Sequence, residues 1–90
     1  MFDRENYIYT TSLNKAAYVG FVNNIYIEQK RIEGIIYFLI PKTKENIEEA
    51  NKYYDSVHEK KELCVDIIGY NRYIKMLKDD NRKLRLEEQQ

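Results

Sequence analysis

The chain has no tryptophan and holds only one cysteine, one proline, one histidine and three glycines. A lone cysteine, Cys64, excludes an internal disulfide and fits a reducing cytosol. Set between Leu63 and Val65, it reads as a small buried hydrophobe. Gly20, Gly34 and Gly69 stand apart, so no glycine-rich loop cradles a phosphate and no flexible linker divides the chain. His58, in the charged run His58-Glu59-Lys60-Lys61-Glu62, lacks the second histidine of a zinc-protease motif. On a continuous helix Cys64 would point about 120° away from it, so no thiolate–imidazole pair is encoded locally. No spacing of ligands fits zinc or calcium. Ser12 and Ser56 have no base beside them, and Glu45, Glu48, Glu49 and Asp55 alternate with lysines as a solubilising face would. These absences argue against an enzyme, a metal site and a cofactor. Fifteen basic and fifteen acidic residues cancel, so no global field steers the chain toward nucleic acid or an anionic membrane. The most apolar run, residues 35–40, is far short of the roughly 20 residues that cross a bilayer. The polar start, Met1-Phe2-Asp3-Arg4-Glu5-Asn6, is not the pattern of a signal peptide, and the expected location is the cytoplasm.

What is present centres on residues 34–40, Gly-Ile-Ile-Tyr-Phe-Leu-Ile, bounded by a glycine and by Pro41. β-Branched and aromatic residues without polar alternation predict a strand covered on both faces, in the middle of a sheet. A charge at Tyr37 or Phe38 is expected to unfold the domain. Before it, Tyr7-Ile8-Tyr9-Thr10 predicts a short strand, and Thr11-Ser12 caps a helix carrying Leu13, Ala16, Ala17 and Gly20 on one face. Gly20 or the pair Asn23-Asn24 ends that helix. Residues 25–30 alternate as a half-buried strand, and residues 31–34 make the turn into the central one.

Thr43 then caps a second helix, with Glu45 in its first turn and a stripe of Ile47, Ala50, Tyr54 and Val57 covering the sheet. Residues 58–62 read as a charged connection and residues 63–65 as briefly extended. Asp66 caps a third helix on which Ile67, Tyr70, Ile74, Leu77, Asn81 and Leu84 recur at heptad spacing. The fold class is α+β: a small antiparallel sheet in the order β-α-β-β-α, with a long C-terminal helix. Residues 1–65 form the core, and residues 66–90 form a helix that packs on it and is a candidate for dimerisation. The first half of that helix is expected to lie on the domain itself. The second half, with little sheet left to cover, is expected to offer Leu77, Asn81 and Leu84 as the seam of a homodimer.

Nine tyrosines are more than a domain this small is expected to bury. Tyr7, Tyr9, Tyr26, Tyr53 and Tyr73 are therefore the candidate anchors for a protein partner. The alternative is nucleic acid or a nucleotide, held by the basic flank Arg72, Lys75, Lys78, Arg82 and Arg85, with Tyr73 stacking on a base. A nucleotide pocket between two copies would leave no linear motif.

The opening Tyr7-Ile8-Tyr9-Thr10-Thr11-Ser12-Leu13-Asn14, then Ala16-Ala17-Tyr18, Tyr37-Phe38 and the ending Tyr73-Ile74-Lys75-Met76-Leu77-Lys78 resemble one family. It is a family of small domains of unknown function encoded by Gram-positive bacteria and their phages. The resemblance spans roughly residues 6–78. The chain departs from it at residues 19–24 and by running its last helix to Gln90. The resemblance implies a cytosolic phage or prophage accessory protein, and the family has no activity to carry over. With catalysis argued against and tyrosine in excess, the expected role is stoichiometric protein binding, as an inhibitor or adaptor of a host or defence-system protein.

Overall fold

The computed structural model describes the backbone of residues 2–59 and 67–87, and the side chains of residues 2–55 and 68–87. Its elements run β1 (Tyr7–Thr10), α1 (Leu13–Val22), β2 (Glu28–Ile32), β3 (Ile35–Pro41), α2 (Lys44–Glu59) and α3 (Ile67–Glu87). This is the expected α+β class. The expectations for Leu63, Cys64, Val65, the Asp66 cap and the side chains of Val57, His58 and Ile67 lie outside the described residues.

The sheet order is β1-β3-β2, with β3 antiparallel to both neighbours. β1 and β2 therefore run parallel, joined through α1 with β3 inserted between them, a split β-α-β unit. The inner strand is thus the predicted one, shifted by one residue: it runs from Ile35 through Pro41, with Gly34 in the turn. The turn before it is tighter than the sequence implied. Its two residues, Glu33 and Gly34, take positive φ, 52° and 83°, and Ile32 pairs directly with Ile35. Two residues of left-handed backbone match the right-handed twist of a hairpin. Arg31 and Ile32 consequently belong to β2, which starts at Glu28 rather than Ile25. Ile25 and Ile27 form the lead-in, and Ile27 is fully buried.

α1 starts where expected, its first turn held by the Ser12 hydroxyl, which accepts from the Lys15 amide at 3.2 Å. Such a cap contributes about 1 kcal/mol. Gly20 does not end the helix. Asn23 does, its amide donating to the Val19 carbonyl at 3.0 Å, and Asn24 follows at φ 53°.

α2 departs further from expectation. It packs on α1 rather than on the sheet. Its inward stripe is Asn46, Ala50 and Tyr53, whereas Tyr54 is 57% exposed. Asn46 explains the rotation. Its amide donates to the Pro41 carbonyl at 2.8 Å and accepts from Asn23 at 2.7 Å. Its backbone amide also donates to the Thr43 cap at 3.2 Å. A buried amide must keep its partners, so Asn46 faces inward and Tyr54, eight positions on, turns out. The helix continues through His58 and Glu59, where the sequence implies the start of a charged connection.

α3 lies against α1 and β2 along its length. Leu77 is fully buried beside Ile40, Phe38 and Val19. The expectation of bare surface under its second half fails because β2 reaches further than assigned. Asn81 donates to the Gln29 side chain at 3.0 Å, and Arg31 donates to the Leu84 carbonyl at 3.5 Å. Among the described residues, Tyr70, Ile74, Leu77 and Asn81 of the heptad stripe pack on the domain itself.

Candidate functional site

Side chains on a strand alternate between faces, so β3 divides the molecule. Phe38 and Ile40 join the core formed with α1 and α3, together with Ile8 of β1. Tyr37 and Leu39 point the other way. Tyr9 lies opposite Leu39, Tyr7 opposite Pro41, Lys30 opposite Tyr37 and Ile32 opposite Ile35. These residues share the second face, and no helix among the described residues packs on it. Leu39 and Ile32 are nevertheless buried, at 4% and 5% exposure.

Aromatic rings cluster on this face. Phe2 stands edge-on to Tyr9 at 4.9 Å and to Tyr37 at 5.1 Å. Tyr9 in turn meets Tyr37 at 6.2 Å and Tyr7 at 6.4 Å. Near-perpendicular pairs of this kind favour one another through their ring quadrupoles. The chain before β1 is folded back to hold Phe2 there. The Asp3 amide donates to the Tyr9 hydroxyl at 2.8 Å, and the Tyr7 amide donates to the Asp3 carbonyl at 3.1 Å. Asn6 donates to the Asp3 carboxylate at 3.0 Å, while Lys42 donates to the Arg4 carbonyl at 3.0 Å. The Arg4 guanidinium sits 4.6 Å from the Phe2 ring centre.

The result is a half-buried aromatic surface whose hairpin end carries Ile35, 49% exposed. Lys30 and Glu28 flank it from β2, so both signs of charge are present. Phenolic hydroxyls, ring edges and aliphatic carbons are groups for contact, with directional polar tips on an apolar body.

The five tyrosines proposed as anchors do not converge. Tyr7 and Tyr9 lie on this face. Tyr26 is 62% exposed on another surface, its hydroxyl donating to Asp80 at 2.8 Å. That bond to a carboxylate, with burial second, raises its pKa. Tyr53 packs against Tyr18 at 5.8 Å. Tyr73 donates to the Ile25 carbonyl at 2.6 Å, and burial pushes its phenol up to about 12. Tyr53 and Tyr73 are thus half-buried packing residues instead of free anchors. Leu77, in the core, is unavailable to a dimer seam; the Asn81 side chain is hydrogen-bonded to Gln29, and the Leu84 carbonyl accepts from Arg31. Of the basic flank, Lys78, Arg82 and Arg85 line one groove, which Arg72 and Lys75 do not.

Tyr37 and Phe2 were missed as members of the site. The apolar run implies equal cover on both faces, which places Tyr37 in the core. The signal lay in its hydroxyl and in its period-2 phase with Leu39, matched by Tyr7 and Tyr9 on the neighbouring strand. Phe2 sits in a polar stretch and carries no such signal.

Comparison with protein-family models, with curated proteins and with solved structures returns no match. No described helix is long and apolar enough to cross a membrane. No three metal-ligating side chains gather among the described residues.

Proposed function

We propose that this chain is a stoichiometric binding module that docks a partner protein on its aromatic sheet face. The observation that carries the reading is the asymmetry of the sheet. One face is sealed by α1 and α3, and among the described residues the other carries no helix but a cluster of Phe2, Tyr7, Tyr9 and Tyr37. Tyrosine-rich, half-buried surfaces with an apolar centre and a mixed-charge rim are the usual anatomy of a protein interface. The balance of Lys30 and Glu28 favours protein over a phosphate backbone, which needs a surplus of cations. The resemblance of residues 6–78 to phage-encoded domains accords with an inhibitor or adaptor role against a host or defence-system protein.

The test is affinity capture from a bacterial host lysate followed by calorimetry with the recovered partner. Wild type should bind it one to one. Tyr7→Lys should weaken binding at least tenfold while lowering the melting temperature by only a few degrees, and Tyr54→Lys on α2 should leave binding intact. Equal loss in both variants, or recovery of no specific partner, overturns the reading.

A further inference from the structure

A second site lies on the opposite side of the sheet. Residues 78, 82 and 85 recur at helical spacing on α3, so Lys78, Arg82 and Arg85 fall on one flank. They line a groove of about 390 Å³ whose floor is Leu13 and Phe38. Thr11 and Asn81 add polar groups. A second hollow of about 280 Å³ shares Thr11, Phe38, Asn81 and Arg85 and adds Arg31. No acidic side chain lines either hollow among the described residues.

Three cations converging on an apolar floor repel one another, and an anion placed between them relieves that repulsion. Among the described residues, neither Lys78 nor Arg85 has an ion-pair partner, and Arg82 reaches only Asp79, at 3.5 Å. Asn81 is positioned from behind. Its amide donates to Gln29 at 3.0 Å, and Gln29 donates to the Leu77 carbonyl at 2.8 Å.

We propose that this groove binds a nucleoside phosphate, with the phosphate on Lys78, Arg82 and Arg85 and the nucleoside against Leu13 and Phe38. Guanidinium forks match phosphate oxygens in pairs and also stack on planar rings. The chemistry favours a small ligand over a nucleic-acid strand. The groove-lining cations of α3 span only about 10 Å of helix. Arg72 and Lys75, which would continue a backbone track, stand outside the groove. The site is independent of the aromatic face.

The test is calorimetry on the full chain at low and high salt with ADP, inorganic phosphate and a ten-nucleotide oligothymidylate as separate probes. ADP should bind at least tenfold more tightly than inorganic phosphate, because only ADP meets the apolar floor. Lys78→Ala and Arg85→Ala should each weaken ADP at least fivefold, and Arg72→Ala should change it less than twofold. Circular dichroism of each variant should match wild type, since these side chains are exposed. ADP binding no tighter than phosphate, or ADP loss equal in Arg72→Ala, overturns the proposal. So does oligothymidylate binding more tightly than ADP with dependence on Arg72 and Lys75.

Discussion

Tyr73 and Gly20 occupy one another's space: the phenol of α3 fits over α1 only because residue 20 has no side chain. A Cβ at Gly20 would overlap the Tyr73 hydroxyl and lie 2.7 Å from the Ile27 side chain. Gly20 is therefore a packing glycine. Gly20→Ala gains about 1 kcal/mol of helix propensity but loses about 1–3 kcal/mol to overpacking. Chemical denaturation should show net destabilisation. The double variant Gly20→Ala with Tyr73→Phe should lose less than the sum of the two single changes, because the overlap is shared. Additive losses would remove the contact from the account.

The tyrosines also set an alkaline limit. Burial, with the Glu49 hydrogen bond second, holds the Tyr18 phenol up to about 12, and burial does the same for Tyr73. An unfolded phenol ionises near 10. Both groups therefore favour the folded state below pH 10, and that contribution is lost as pH rises from about 10 through 12. Absorbance titration at the phenolate band should show at least two of the nine tyrosines ionising late in native protein and none in urea. Tyr18→Phe should remove one late step. A native curve centred wholly near 10 would contradict the packing of α2 and α3 on α1.

Glu33 takes left-handed backbone at φ 52° beside Gly34 at 83°. A non-glycine residue there costs about 1–2 kcal/mol, and asparagine relieves part of it. Glu33→Asn should stabilise the domain by about 0.5–1 kcal/mol, or a few degrees of melting temperature. A lower melting temperature would mean the turn has another form.

Phe38 and Tyr37 are neighbours in sequence on opposite faces. Phe38→Ala should cost about 3–5 kcal/mol, the usual loss for a buried ring. Tyr37→Ala, removing two half-exposed ring contacts, should cost about 1–2 kcal/mol. The sequence alone implied equal sensitivity. Equal losses would mean that both faces are core.

That difference marks where the sequence was readable. Local chemistry placed β1, the Ser12 and Thr43 caps, the inner strand and α3, because each depends on residues within a few positions. Gly20 looked like a stop, since the partner that makes it a contact, Tyr73, is 53 positions away. Asn46 carries no signal in the sequence, because its partners, Asn23 and the Pro41 carbonyl, meet only in the folded chain. The stripe on α2 was misphased for the same reason. Tyr26, Tyr53 and Tyr73 were judged by abundance, which does not say which rings the helices claim. The basic flank was visible as a period, but the groove that selects Lys78, Arg82 and Arg85 from it needs Leu13 and Phe38.

The most direct test of the aromatic face is photo-crosslinking, with benzoylphenylalanine placed at position 30 beside Tyr37 and, separately, at position 54 on α2. In host lysate the probe at position 30 should give one saturable adduct of defined mass, abolished by Tyr7→Lys, and the probe at position 54 should give none. An adduct from position 54 instead, or one at position 30 that survives Tyr7→Lys, would contradict the account.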